Sequence, residues 1–162
     1  MPVRYLKIAL VGFVSLLCLM YATQNVVNLD AAYGFVASAT SSADHQAYPS
    51  SFGPALSAPL LIWASLAIII ALEYAAGLLA AKGFWDLWSA RSAPAESFNR
   101  AKTYALLGAG MAVVVWFGLF AVVGGAYFQM WQTQLGSAAL AGAFQFATQS
   151  GLVLLFINMT DR

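Results

Sequence analysis

One carboxylate has the setting for chemistry in this chain. Glu73 lies inside APLLIWASLAIIIALEYAAGLLAAK, an apolar run from Ala58 to Lys82. About 20 apolar residues suffice to cross a hydrocarbon core of roughly 30 Å. A carboxylate near the middle of such a helix is costly unless it is paired, neutral or hydrated. On a functional reading Glu73 is a proton or cation site. On a structural reading it is a hydrogen-bonded residue that holds helices together. Gln145 and Gln149, one helical turn apart on one face of the last apolar segment, are the expected amide partners. A proton relay needs a chain of titratable groups, and the apolar segments offer no second one, which favours the structural reading.

Other constellations are poorer. The lone histidine, His45, stands beside Asp44 in a polar stretch with only Asp30 nearby, whereas transition-metal sites recruit several His, Cys or carboxylate ligands. With no histidine in an apolar segment, bis-histidine haem ligation is excluded. Ser38, Ser41, Ser42, Ser50 and Ser51 share that stretch with His45, but nothing resembles a nucleophile elbow. Gly108–Gly110 and Gly124–Gly125 lie within apolar helix and read as packing residues rather than a phosphate cradle. Trp116 reads as a buried aromatic, with a quinone or pigment contact as the alternative. Cys18 has no intrachain partner, so redox compartment is not legible.

The elements that must position Glu73 follow from composition. The chain has 162 residues, of which 62% are hydrophobic and only 8% charged. A soluble domain carries roughly a quarter charged residues, so this is a single integral membrane domain, 1–162. A net charge of +1 with no basic stripe gives no nucleic-acid footprint. Membrane helices are expected at about 5–23, 58–81, 103–128 and 138–158. The basic start and apolar run of the first also fit a signal peptide, but no small-x-small cleavage pattern follows it, so it is assigned as a retained helix.

Between the first two helices lies an extended loop, in which Asp30 can cap a short interfacial helix carrying Tyr33, Phe35 and Val36. Ser57 and Pro59 suit the start of the second helix. Trp85 and Trp88, then Tyr127 and Trp131, mark the two aromatic interfaces. Pro94 ends or restarts a helix, and Glu96 and Arg100 stand at i,i+4 spacing. A tight turn is expected over 132–137.

Four crossings place both termini and the loop carrying Arg91, Arg100 and Lys102 on one side. All 7 basic residues fall there, which makes that side cytoplasmic. Small-residue stripes predict the contact seams: Ala67, Ala71 and Ala75; Ala105, Gly108, Ala109 and Ala112; Ala139, Ala143, Ala147 and Gly151.

Phe98-Asn-Arg-Ala-Lys102, Trp116-Phe117, Gly124-Gly125, Tyr127-Phe128, Met130-Trp131-Gln132, Ala143-Phe144 and Gly151-Leu-Val-Leu-Leu-Phe-Ile-Asn158 resemble the small bacterial integral-membrane proteins grouped as domain of unknown function 2165. Asn25, Asp30 and Glu73 also fall where that family carries similar residues. The resemblance implies a four-helix inner-membrane protein and no assigned activity. Ala126 and Gln145 depart from it, standing where an acidic and a basic residue are usual.

The expectation is therefore an all-α four-transmembrane-helix bundle of a bacterial inner membrane, with N- and C-termini cytoplasmic. It is expected to be a non-catalytic accessory or assembly subunit without a cofactor, whose partners are the lipid bilayer and other membrane subunits or further copies of itself. The alternatives are a small proton-coupled transporter or channel using Glu73 with Gln145 and Gln149 as lining, and a quinone- or pigment-contacting module.

Overall fold

In the computed structural model, which describes residues 2–43 and 45–161, the chain is all-helical among the described residues. Its elements are α1 (Pro2–Val27), α2 (Leu29–Ser41), α3 (Pro59–Ser89), α4 (Ala95–Arg100), α5 (Thr103–Val113), a π-helical segment (Val114–Tyr127), a 3-10 turn (Met130–Gln132) and α6 (Gln134–Asn158). Among the described residues four helices are long and apolar enough to cross a membrane: Pro2–Val27, Pro59–Ser89, Ala95–Tyr127 and Gln134–Asn158.

The boundaries depart from those expected. The chain after Thr23 does not open into loop: α1 continues to Val27, and a 13-residue helix, α2, follows at once. Asp30 lies in the first turn of α2, where a carboxylate complements the helix dipole, but the N-cap position is Asn28 and no side chain caps it. Ser57 does not cap α3 either, whose N-cap is Ala58, although Pro59 opens the helix as expected. α3 runs to Ser89 rather than to Lys82, because nothing breaks it before Pro94. Lys82 and Asp86 pair across one turn at 2.5 Å, and Ser89 Oγ donates to the Trp85 carbonyl at 2.9 Å. Pro94 restarts the chain as α4, whose Arg100 pairs with Glu96 at 3.0 Å. The turn expected over 132–137 is shorter: Thr133 caps α6 by accepting from the Gly136 N–H, so α6 begins at Gln134 rather than 138.

α1 packs along α3, α3 along α5, and α5 with the π segment along α6, while α1 and α6 meet more sparingly. The core gathers Ile8, Val11, Cys18, Ala76, Ala80, Leu87, Ala105, Ala112, Val115, Trp116, Ala143 and Ile157. The seam expected on α5 is formed: Ala105, Gly108, Ala109 and Ala112 are all buried. That expected on α3 is not, since Ala67 and Ala71 are exposed. The buried stripe of α3 is Glu73, Ala76, Gly77, Ala80 and Gly83. It lies on a different face because the close contacts are made where glycine allows them: a Cβ on Gly83 would collide with the Ala105 backbone, and one on Gly108 with the Ala80 backbone. In lipid, such backbone approach stands in for the hydrophobic effect as the source of helix association.

Candidate functional site

Glu73 sits at the middle of α3, on its buried stripe, and is 2% exposed. Its partner comes from the last turn of α1: Asn25 Nδ2 donates to Glu73 Oε2 at 2.9 Å. Two further polar contacts run down the same α1–α3 seam. The Thr23 and Tyr74 hydroxyls lie 3.1 Å apart, and Ser15 Oγ donates to the Gly77 carbonyl at 2.9 Å. Gly77 leaves that carbonyl uncovered by any side chain of its own. The carboxyl is thus one rung of a polar ladder that fixes the register of α1 against α3.

Gln145 and Gln149 are not the partners of Glu73, contrary to the expectation. α6 turns Gly136, Ala143, Ser150 and Ile157, which recur at seven-residue intervals, towards the bundle. Residues 145 and 149 lie off that stripe, and both side chains are exposed. A polar lining made of Glu73 and the two amides is therefore not assembled within one chain.

Removing the donor while leaving the acceptor buried forfeits both the bond and the solvation of the carboxyl. Asn25→Leu is expected to lower stability by about 1–3 kcal/mol, read as a fall in the thermal midpoint in detergent. The Asn25→Leu/Glu73→Leu pair, with neither group left orphaned, is expected to lower it less. A double variant less stable than Asn25→Leu would contradict the ladder.

The second polar cluster lies where the start of α1 meets the residues that follow α6. Lys7 Nζ donates to Asp161 Oδ2 at 2.7 Å and to the Met159 carbonyl at 2.6 Å. Lys102 Nζ pairs with the same Asp161 oxygen at 2.5 Å and donates to Asn99 Oδ1 at 2.6 Å and to the Met159 carbonyl at 2.8 Å. Asn99 and Asp161 complete the knot through Nδ2 to the Asp161 carbonyl and the Asp161 N–H to Oδ1, each at 3.0 Å. Arg4 lies over the Phe98 ring at 4.6 Å and donates to the carbonyls of Arg91 and Ala93. Burial pushes the Asp161 carboxyl up, but the hydrogen bonds and charges of Lys102 and Lys7 outweigh it and hold the group below the usual carboxylate range.

Lys102, expected in one loop with Arg91 and Arg100, is buried, 3% exposed. It stands between α4 and α5, where its Nζ reaches the Met159 carbonyl and Asp161 just past the end of α6. Arg100 stays exposed on its Glu96 partner, and Arg91 stacks on Trp88 at 4.7 Å while donating to that residue's carbonyl. Asp161 gave no warning in the sequence, because a carboxylate three residues past a helix end reads as solvated tail. The one clue was two lysines close to helix ends with no acidic neighbour at i,i+4.

Trp85 and Trp88 are exposed on the last turns of α3, and Trp88 meets Tyr5 edge-on at 6.3 Å. At the opposite end Tyr127 packs on Phe52 and Trp131 on Tyr48. Gln132 holds the same loop, its Oε1 accepting from the Ala47 and Tyr48 N–H groups at 2.9 and 2.8 Å. Trp116 is buried against Tyr21 and Phe146. His45 is half-buried, and its sequence neighbour Asp44 lies outside the described residues. An apolar chamber of about 160 Å³ opens between α2, α3 and the π segment. Its polar lining residues, Thr40 and Ser65, both donate to carbonyls of their own helices at 2.8 Å.

A model of the family DUF2165, described as "predicted small integral membrane protein", matches residues 3–160. No curated protein and no solved structure matches the chain.

Proposed function

We propose, for a chain that belongs to the DUF2165 family of predicted small integral membrane proteins, that it serves as a non-catalytic accessory subunit which docks on a larger membrane complex through the outer face of α6. The observation that carries this reading is the placement of Gln145 and Gln149. Both are exposed near the middle of a membrane-spanning helix. Hydrocarbon has no hydrogen bonds to give a carboxamide, so a bare amide there is unfavourable until a partner helix supplies them. Interhelical hydrogen bonds of this kind contribute about 0.6–2 kcal/mol each. Two on one face, one turn apart, suit a single docked helix.

The gathering of basic side chains at one end of the bundle supports an orientation with both termini in the cytoplasm of a bacterial inner membrane. The transport alternative draws less support, because its three polar residues do not converge.

Mild solubilisation from the native membrane, followed by a native gel and mass spectrometry of the band, tests the reading. The expected outcome is a stoichiometric partner that is retained by wild type and lost from Gln145→Leu/Gln149→Leu, with the variant bundle itself intact. Isolation of the wild-type chain alone and monodisperse would overturn it.

A further inference from the structure

Where α1 and α6 meet sparingly, the bundle leaves a cleft open to the bilayer, with a volume of about 740 Å³. Its walls are mostly apolar, with Phe13, Leu17 and Met20 from α1 and Leu152, Val153 and Phe156 from α6, and Gln149 and Ser150 are its polar lining residues. Phe156 also borders a second cavity of about 260 Å³ at the end of the bundle, shared with Arg4, Lys7, Thr160 and Asp161. The two cavities therefore follow one seam, with a hydrocarbon-lined part along the span and a cationic part at its end.

The charge in the end cavity is not balanced within the cluster. Lys7 and Lys102 pair with Asp161, the one carboxylate among the described residues that pairs with either, and Arg4 lines the same cavity as Lys7 and Asp161. Among these described residues, three positive charges stand against one negative charge. The lysine donors are unequally used. Lys102 Nζ has three partners, in Asp161, Asn99 and Met159. Lys7 Nζ has two, and an ammonium has three N–H groups. Among the described residues Arg4 donates from Nη1 alone, and it lines the end cavity.

We propose that this seam binds one anionic phospholipid, with its phosphate against Arg4 and Lys7 and an acyl chain along the α1–α6 cleft. The chemistry is complementary at both ends. A phosphodiester oxygen accepts from guanidinium and ammonium donors, and basic pockets between membrane helices suit anionic headgroups. The apolar walls offer an acyl chain close packing where the two helices fail to pack on each other. A zwitterionic lipid would fill the cleft equally well but brings no net negative charge to offset the excess. This inference goes beyond the docking reading and does not depend on it, since it concerns the isolated chain.

Native mass spectrometry of the delipidated protein, titrated with phosphatidylglycerol or phosphatidylcholine in detergent, tests it. The expected result is one tightly retained phosphatidylglycerol per chain, favoured about tenfold over phosphatidylcholine. Arg4→Gln/Lys7→Gln should reduce that preference to near unity. Val153→Phe, which fills the cleft and leaves the ion cluster untouched, should weaken retention of both lipids. Equal retention of the two lipids by wild type would overturn the proposal, as would phosphatidylglycerol retention as strong in Val153→Phe as in wild type. Competition by inorganic phosphate that displaced the lipid completely would also overturn it, since the acyl chain would then contribute nothing.

Discussion

Asp161→Ala is expected to lower the stability of the bundle by about 3–5 kcal/mol, the range found when one member of a buried ion pair is removed and its partner is left uncompensated. Here two partners are left. Lys7 and Lys102 are 2% and 4% exposed at the side chain, and both reach the same Asp161 oxygen. Without the carboxylate, two ammonium groups face each other in a site with little water, and the tie between the end of α6, the start of α1 and α4 is lost. Thermal unfolding in detergent measures the effect. Lys7→Met/Lys102→Met/Asp161→Leu removes all three charges together and is expected to be considerably more stable than Asp161→Ala. A single variant as stable as wild type would show that the cluster is solvated rather than structural.

The same group sets a pH dependence whose sign follows from its partners. The Asp161 carboxyl titrates lower in the folded chain than its ordinary value. The unfolded chain therefore binds the proton first as pH falls. The contribution of the group is complete above the ordinary carboxylate range and is lost as pH falls through that range to the depressed folded value. The thermal midpoint of wild type should thus decline on strong acidification. In Asp161→Asn that part of the decline should be absent.

Gly83→Val is expected to be the most damaging substitution on α3, at about 3 kcal/mol or more, above the usual overpacking range because backbone rather than a movable side chain stands in the way. A Cβ at position 83 would meet the N, Cα and Cβ of Ala105. Gly108→Val should behave alike, since its Cβ would meet Ala80 in the same seam. The readout is loss of the monodisperse folded species in detergent. Gly110→Ala on α5 is the control: nothing lies within 4 Å of a Cβ there. Replacing that helical glycine by alanine should be neutral or stabilising by up to about 1 kcal/mol. A Gly83→Val protein as stable as Gly110→Ala would mean that α3 and α5 do not approach as described.

How much was legible follows from which physics acts locally. Four apolar runs of spanning length had to become helices, because in a bilayer each backbone N–H and C=O must be satisfied within the segment or by a close neighbour. That constraint acts on each run alone, so α1, α3, the Ala95–Tyr127 span and α6 were readable from composition. So was the carboxylate within a membrane span, Glu73. The restart at Pro94 and the Glu96–Arg100 pair were equally local, since they depend on residues within one turn.

Tertiary structure decided which faces meet. The alanines at four-residue spacing on α3 were as plausible a seam as Ala76, Ala80 and Gly83, and only the collision that a Cβ would make at Gly83 and Gly108 separates the two. Glu73 found Asn25 rather than Gln145 and Gln149 because α6 turns its Ala143–Ser150–Ile157 stripe inwards and the amides outwards. No periodicity along one helix carries that choice. The burial of Lys102 depended on its meeting Lys7, Met159 and Asp161, residues near both ends of the chain. The π-helical winding over Val114–Tyr127, far longer than the single-turn bulges usual in helices, has no explanation in the residues themselves. Each apolar run could choose helix for itself, but a helix's partners were set by how backbones fit together.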